Sequence, residues 1–299
     1  MIRSLFACFV ATMASLPAQV IDTVGGMASA PVGANRAKGS LYAVNTTVVL
    51  TEFETYLDVP AQETLTFFMY RHHSRTGTST LELTLPVTVP GGIGPAWYST
   101  GPITWPMVAG NHYVLGVAWQ GSITYYYSTA TSGSPVSFGN WQRAHTLTNP
   151  VPTTLVLPAG TDIAQYYQRL TSVPTTSVVN TGTGCSATPL VPRLVASSFF
   201  TLGATTNLQL VDAAQPSVGL FALANGGPAA VPVPLFGCSI WLDLSGPIPT
   251  LAALTAAGQA DLPITVPNNP VLVGTTYSAQ GLVFGTAIDV ANAVSFTIN

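Results

Sequence analysis

From Leu81 to Val89 the chain alternates without a break. Leu81, Leu83, Leu85, Val87 and Val89 are apolar, and Glu82, Thr84, Pro86 and Thr88 stand between them. Successive side chains of a strand point to opposite faces, so a period of two describes a half-buried β-strand and cannot serve a helix. The same period runs from Thr47 to Val59, with Val49, Phe53, Leu57 and Val59 on one face and Glu52, Glu54, Tyr56 and Asp58 on the other. Thr64 to Arg71 is apolar on both faces and belongs inside a sheet, while Tyr113–Gln120 and Ile123–Ser128 flank Gly121-Ser122, the spacing of a two-residue hairpin. No window sustains a 3.6-residue period over three turns. The expected fold class is all-β: two β-sandwich domains, the first a jelly roll.

Composition fixes what such strands show to solvent. Only 6% of the 299 residues are charged, and Lys38 is the single lysine; an ordinary soluble protein carries about 25%. A nucleic-acid binder needs a cationic stripe to release counterions, and none is present. The exposed positions fall instead to Thr, Ser, Asn, Gln, Gly and Pro, which suits an extracellular protein of strands and turns.

The first residues point to the same compartment. Arg3 precedes an apolar run from Leu5 to Leu16, and Pro17-Ala18 offers a small residue for cleavage, so residues 1–18 are expected to be a signal peptide. The run is too short to span about 30 Å of hydrocarbon as a helix. A lipoprotein box is the other reading of Leu5-Phe6-Ala7-Cys8, although such a box follows the apolar run and here most of the run follows Cys8. Gly, Pro or polar residues interrupt every later apolar stretch, so no transmembrane segment is expected. Removing the leader leaves Cys185 and Cys238, and in an oxidising compartment an even pair is most simply a disulfide, with two buried thiols as the alternative. Two cysteines are too few for a metal site, and no histidine follows His145.

Punctuation divides the mature chain. Residues 19–34 read as a lead-in, 35–173 as a β-sandwich interaction domain, 174–181 as a linker, and 182–299 as a second, disulfide-closed β module. A protease is expected to cut between Pro174 and Gly184 and release two folded fragments. The second module has only Arg193, Asp212, Asp243, Asp261 and Asp289 as charges. Its strands are expected at Phe199–Leu202, Leu208–Val211, Val218–Ala222, Cys238–Leu244, Asp261–Val266 and Val294–Ile298, with Leu251–Ala257 undecided between helix and strand.

An ordered series of short motifs spans this second module. It runs through Gly182-Thr183-Gly184-Cys185, Pro192-Arg193-Leu194, Ala214-Gln215-Pro216-Ser217, Phe236-Gly237-Cys238, Ala256-Ala257-Gly258-Gln259-Ala260, Ile264-Thr265-Val266-Pro267, Leu272-Val273-Gly274 and Tyr277-Ser278-Ala279-Gln280-Gly281. The series resembles a C-terminal β module that recurs in secreted proteins of planctomycete-type bacteria. The resemblance implies a non-catalytic terminal domain for export, surface retention or assembly. Ser186 stands where the module has glycine after its first cysteine, which leaves only the local turn open. In the first domain, Trp97-Tyr98-Ser99-Thr100-Gly101 and Ala109-Gly110-Asn111-His112-Tyr113-Val114-Leu115-Gly116-Val117 are similar to strands of extracellular jelly-roll modules, a likeness that transfers no ligand.

Candidate chemistry is sparse. Glu52 and Glu54 point the same way off one strand, whereas a glycosidase needs two carboxyls facing each other across a sugar, so they read as a solvated acidic face shared with Tyr56 and Asp58. His72 and His73 are adjacent and on a strand point to opposite sides; beside Arg71 and Arg75 they read as a polar strand end. No nucleophile elbow, His-Glu-x-x-His helix or phosphate loop occurs. The aromatics remain. Trp119, Tyr125 and Tyr127 are in register with apolar positions and read as core, while Tyr126 faces the other way. Trp97, Tyr98, Trp105 and Trp141 lie in Gly/Pro-rich stretches, where an exposed indole is a platform for a sugar ring; end-caps of the sandwich are the competing role.

These observations lead to a secreted, non-enzymatic extracellular or cell-envelope protein. The alternative is a carbohydrate-binding module whose candidate ligand residues are Trp97, Tyr98, Trp105, Tyr126 and Trp141, and a secreted hydrolase is third. No cofactor, metal or nucleic acid is expected, and the expected partner is a neutral glycan or an envelope component, because so little charge leaves stacking and neutral hydrogen bonds as the means of recognition.

Overall fold

The computed structural model describes residues 18–158, 162–235, 237–246, 249–254 and 257–299. Residues 1–17 of the expected leader, Cys8 among them, lie outside the described residues. The fold is an all-β sandwich in which every described strand pairing is antiparallel. Among the described residues no helix is long and apolar enough to cross a membrane.

In the first half a seven-stranded sheet runs in the order Ser134–Val136, Gly139–Thr148, Arg36–Val44, His112–Trp119, Glu63–His72, Gly77–Val89, Thr154–Leu157. The opposing sheet is built on Val48–Asp58. Gln168–Pro174 and Ile123–Tyr125 pair along one side of it, Pro95–Ser99 and Trp105–Met107 along the other. Phe53, Phe67, Trp119 and Trp141 fill the space between the sheets. The far face of the large sheet is also covered: Leu41, Phe68 and Tyr70 pack under Leu155 and Leu157, so its central strands are apolar on both sides.

Several local expectations are corrected. On Val48–Asp58 the core positions are Val48 and Leu50, then Phe53 and Leu57, and Val49 is only half-buried. A register shift opposite Thr171/Ser172 leaves Thr51 as an extra residue, and one extra residue reverses the phase of everything before it. Gly121-Ser122 does not close a hairpin. Both sides of His112–Trp119 are taken by Arg36–Val44 and Glu63–His72, so the chain crosses to the other sheet, where Ile123–Tyr125 pairs with Val48–Asp58. The lead-in is part of the fold: Val20–Val24 pairs with Gln168–Pro174 and Val32–Gly33 with Ile123–Tyr125. Within the expected linker, Pro174 ends one strand and Val178–Thr181 is already the next, leaving 175–177 as the joint.

The second half packs a five-stranded sheet, in the order Val178–Thr181, Ile288–Thr297, Thr276–Phe284, Val218–Asn225, Thr250–Leu254, on a three-stranded one of Arg193–Ala196, Thr205–Val211 and Ala260–Thr265. Phe200 and Phe296 stack at 3.8 Å in its core with Leu208, Leu210 and Phe221. Phe199–Leu202, expected as a strand, is an irregular connection that drops Phe200 into this core. The strand expected at Cys238–Leu244 ends at Ile240, and the undecided stretch after Leu251 carries the strand Thr250–Leu254. Cys185 and Cys238 are bonded, with Cα atoms 5.6 Å apart.

The halves meet through polar contacts. Asn111 Nδ2 donates to the Ala196 carbonyl at 2.9 Å, Arg71 Nη1 to Gln209 Oε1 at 3.0 Å, and Thr47 Oγ1 to the Val178 carbonyl at 2.6 Å. Arg193, paired with Asp212 at 2.8 Å, reaches back to the carbonyls of His73 and Gly110. Val108 of the first half joins the core of the second.

Candidate functional site

Outward-facing positions of Val48–Asp58 carry Glu52, Glu54, Tyr56 and Asp58, as the alternation requires, and this face gathers a set of half-buried aromatics. Tyr56 lies directly opposite Trp97 in the strand register. On its other side the Tyr56 N–H donates to the Tyr167 carbonyl at 3.0 Å, and the Tyr167 N–H donates to the Tyr126 carbonyl at 2.9 Å. Four chain segments thus deliver four half-buried rings to one place. The Tyr56 ring centre is 5.2 Å from each of Trp97, Tyr126 and Tyr167, and Trp97 is 4.7 Å from Tyr167. All four contacts are tilted or edge-on, the geometry that opposed ring quadrupoles favour.

Charge borders the rings. The Arg169 guanidinium lies over Trp97 at 4.2 Å and pairs with Glu54 at 3.1 Å. Ser99 Oγ donates to Glu52 at 2.5 Å. The Tyr126 hydroxyl is held above the usual phenol pKa, chiefly by desolvation and then by the negative charge of Asp58. The result is an amphipathic plate of rings inclined 58–65° to one another, with hydroxyls and carboxylates at its margin. Such a surface stacks on apolar ring faces and accepts hydrogen bonds from hydroxyl groups.

Of the candidate ligand residues, only Trp97 and Tyr126 belong to this plate. Tyr98 follows Trp97 on the same strand, so it points inward and is buried; its hydroxyl is also held above the usual phenol range by burial. Trp105 and Trp141 were expected in loops but lie on Trp105–Met107 and Gly139–Thr148. They are 6% and 0% exposed, which makes them core residues and corrects their assignment. Trp119 is core as expected, whereas Tyr125 and Tyr127 are half-buried. Tyr56 and Tyr167 are the members that sequence reasoning missed. Tyr56 was visible as an outward residue but grouped with the acidic face, and nothing local marks Tyr167 as its neighbour.

Behind the plate, Lys38 lies over the rings of Tyr125 and Tyr166, at 4.5 and 5.6 Å, and donates to Thr146 Oγ1 at 2.9 Å. Burial, with help from Arg36, pushes its ammonium down to about 8. At the junction of the halves the rings of His72 and His73 lie 4.2 Å apart. They were expected on opposite sides of a strand, but the strand ends at His72 and the chain turns at Ser74, whose N–H donates to His72 Nδ1. Among the described residues no three His, Cys, Asp or Glu side chains come together to hold a metal ion.

No protein-family model and no curated protein matches the sequence. Among solved structures, a β-glucuronidase from Parabacteroides merdae aligns at 11% identity and a TM-score of 0.20, over 87% of this chain and 28% of its own. A putative β-galactosidase from Bacteroides fragilis aligns at 8% identity and a TM-score of 0.18, over 88% of this chain and 32% of its own. The chain spans about a third or less of each. At these scores neither supports a shared fold or a shared activity.

Proposed function

We propose that this protein is a secreted, non-enzymatic recognition protein of the extracellular space or cell envelope, and that its first half binds a neutral glycan on the Trp97–Tyr56–Tyr126–Tyr167 plate. The gathering of these four rings from four segments on one outward sheet face is the observation that carries the reading. A sugar ring offers an apolar face to stack and hydroxyls for Glu52 and Asp58 to accept from. The carboxylates support a binding role over hydrolysis: Glu54 is tied to Arg169 and Glu52 to Ser99, and both leave the strand on the same side. The second half, closed by Cys185–Cys238, serves in this reading as the export or attachment module.

A glycan array and polysaccharide pull-down with the purified protein test the proposal. Trp97→Ala and Tyr126→Ala are each expected to weaken binding about tenfold or more, on the scale of one lost aromatic contact. Trp141→Ala is the contrasting variant, because removing a fully buried indole destabilises the sandwich itself by about 3–5 kcal/mol. Wild-type protein that retains no glycan, or binding unchanged in both plate variants, overturns the proposal.

A further inference from the structure

Met69 pairs with Leu83 and Tyr70 with Leu81, so Glu82 is left between them as an extra residue of Gly77–Val89. A bulge of this kind re-aims a side chain, and here Glu82 Oε1 accepts from Arg71 Nε at 3.1 Å. Arg71 and Tyr113 stand directly opposite each other on adjacent strands and so share a face of the sheet. These three side chains line a cleft of about 200 Å³ at the joint of the two halves, with Leu83 and Pro106 as apolar wall and Ser197 and Ser198 contributed by the second half. Its polar groups are only partly used. Tyr113 is 1% exposed and its hydroxyl accepts from the Val108 N–H at 2.9 Å, yet among the described residues the hydroxyl proton has no acceptor. Arg71 directs Nε to Glu82 and Nη1 to Gln209 and Asn111, while Nη2 donates to nothing among the described residues. Glu82 Oε2 and Ser198 Oγ likewise have no partner there.

We propose that this cleft binds a small neutral polyol the size of one sugar ring, at a second site that does not depend on the aromatic plate. Arg71 and Glu82 neutralise each other, so a charged guest would have to break their pair. Neighbouring hydroxyls of a polyol need not: one accepts from Arg71 Nη2 while the next donates to Glu82 Oε2. The Tyr113 proton and the Ser198 hydroxyl supply further bonds, and Leu83 and Pro106 receive the C–H face of the guest. A buried polar donor beside a few hydroxyls and an apolar wall, placed between two halves of a chain, is the usual composition of a small-molecule site. A guest of about a dozen non-hydrogen atoms with ordinary ligand efficiency dissociates on the order of 1 mM.

Chemical-shift titration of the nitrogen-15-labelled full chain with D-glucose, D-galactose, D-mannose and myo-inositol, each to about 50 mM, tests the proposal. At least one of them is expected to move the Arg71 Nε–H signal and the Ser197 and Ser198 amide signals, with a dissociation constant on the order of 1 mM. Glu82→Gln is expected to weaken that binding about tenfold, the scale of one hydrogen bond to a charged group, and Ser198→Trp, which fills the cleft, to abolish it. Glu82 is exposed and Ser198 half-buried in an irregular connection, so both variants keep the wild-type circular dichroism and urea midpoint, which separates lost binding from lost folding. Acetate, titrated in parallel, distinguishes a polyol site from an oxyanion site at Arg71. No shift with any of the polyols, shifts confined to the Trp97 indole and the Tyr126 amide, acetate bound in place of the polyols, or binding undiminished in both variants overturns the proposal. Because signals of the cleft and of the plate are read separately, either site fails without the other.

Discussion

Acid is the perturbation to which this fold is most exposed, because all four of its histidines are held below the ordinary imidazole value. Burial is the largest cause at each. Like charge adds to it: His72 acts on His73, Arg193 on His112, Arg143 on His145 and Arg71 on His72. His73, His112 and His145 are pushed down to about 4, so between pH 6.5 and 4 they are neutral when folded and protonated when unfolded. The unfolded chain then binds more protons, and stability falls as pH drops through 6.5, levelling off below about 4. For His145, which is 6% exposed, the drop is worth at most about 3 kcal/mol. The other three are partly exposed and crowd one another, so screening and coupling bring the total to about 5 kcal/mol, against the 5–15 kcal/mol that holds a typical domain. Urea denaturation at pH 7.5, 6.5, 5.5 and 4.5 reads this directly as a falling midpoint at constant m-value. His145→Gln is expected to reduce the slope between pH 6.5 and 4.5. A stability flat from pH 7.5 to 4.5, or imidazole NMR signals titrating near 6.5 in the folded protein, would refute the reasoning.

Two further outcomes follow from the contacts. Asn111 is buried and its side chain donates to the Val108 and Ala196 carbonyls; Val108 keeps the Asn111 N–H, so Asn111→Ala takes the side-chain donor from Ala196 and is expected to cost about 1–3 kcal/mol in urea unfolding, and an unchanged midpoint would mean that the other contacts between the halves, those of Thr47, Arg71 and Arg193, carry the junction. The Cys185–Cys238 bond links residues 53 apart, and replacing both by serine is expected to remove about 4 kcal/mol; a change under 1 kcal/mol would leave Ile240 and Leu242 as what anchors that hairpin.

The strands were legible where one face alone is buried. Leu81 to Val89 alternates in sequence and in the sheet, and Glu63–His72, apolar on both faces, does sit between two neighbours. What failed needed knowledge of partners. The bulge at Thr51 is defined by Thr171 and Ser172, more than a hundred residues away, and the crossing after Trp119 is forced by strands already flanking it. The plate shows the same division. Parity along one strand predicts that Tyr98 turns inward once Trp97 faces out, but the meeting of Tyr56 with Tyr167 depends on long-range register, which leaves no local trace.

The scarcity of charge takes on a structural meaning in this light. Arg71 pairs with Glu82 and reaches Gln209, Arg169 pairs with Glu54, and Arg193 with Asp212 while gripping two carbonyls of the other half. Asp22 accepts from Ser137, Asp289 from the Ala187 N–H and Asp261 from Gln209, so acids too are spent on fixing loops and strand ends. Charged side chains used in this way add specificity at particular joints and little long-range field. Solubility then rests on hydroxyl and amide groups, and a partner arriving at the surface meets no strong potential. Affinity must come at contact distance. On the first half, the outward plate of Trp97, Tyr56, Tyr126 and Tyr167 offers it by stacking. Stacking is insensitive to salt, so raising ionic strength should leave glycan retention unchanged, whereas a partner held by ion pairs would be released.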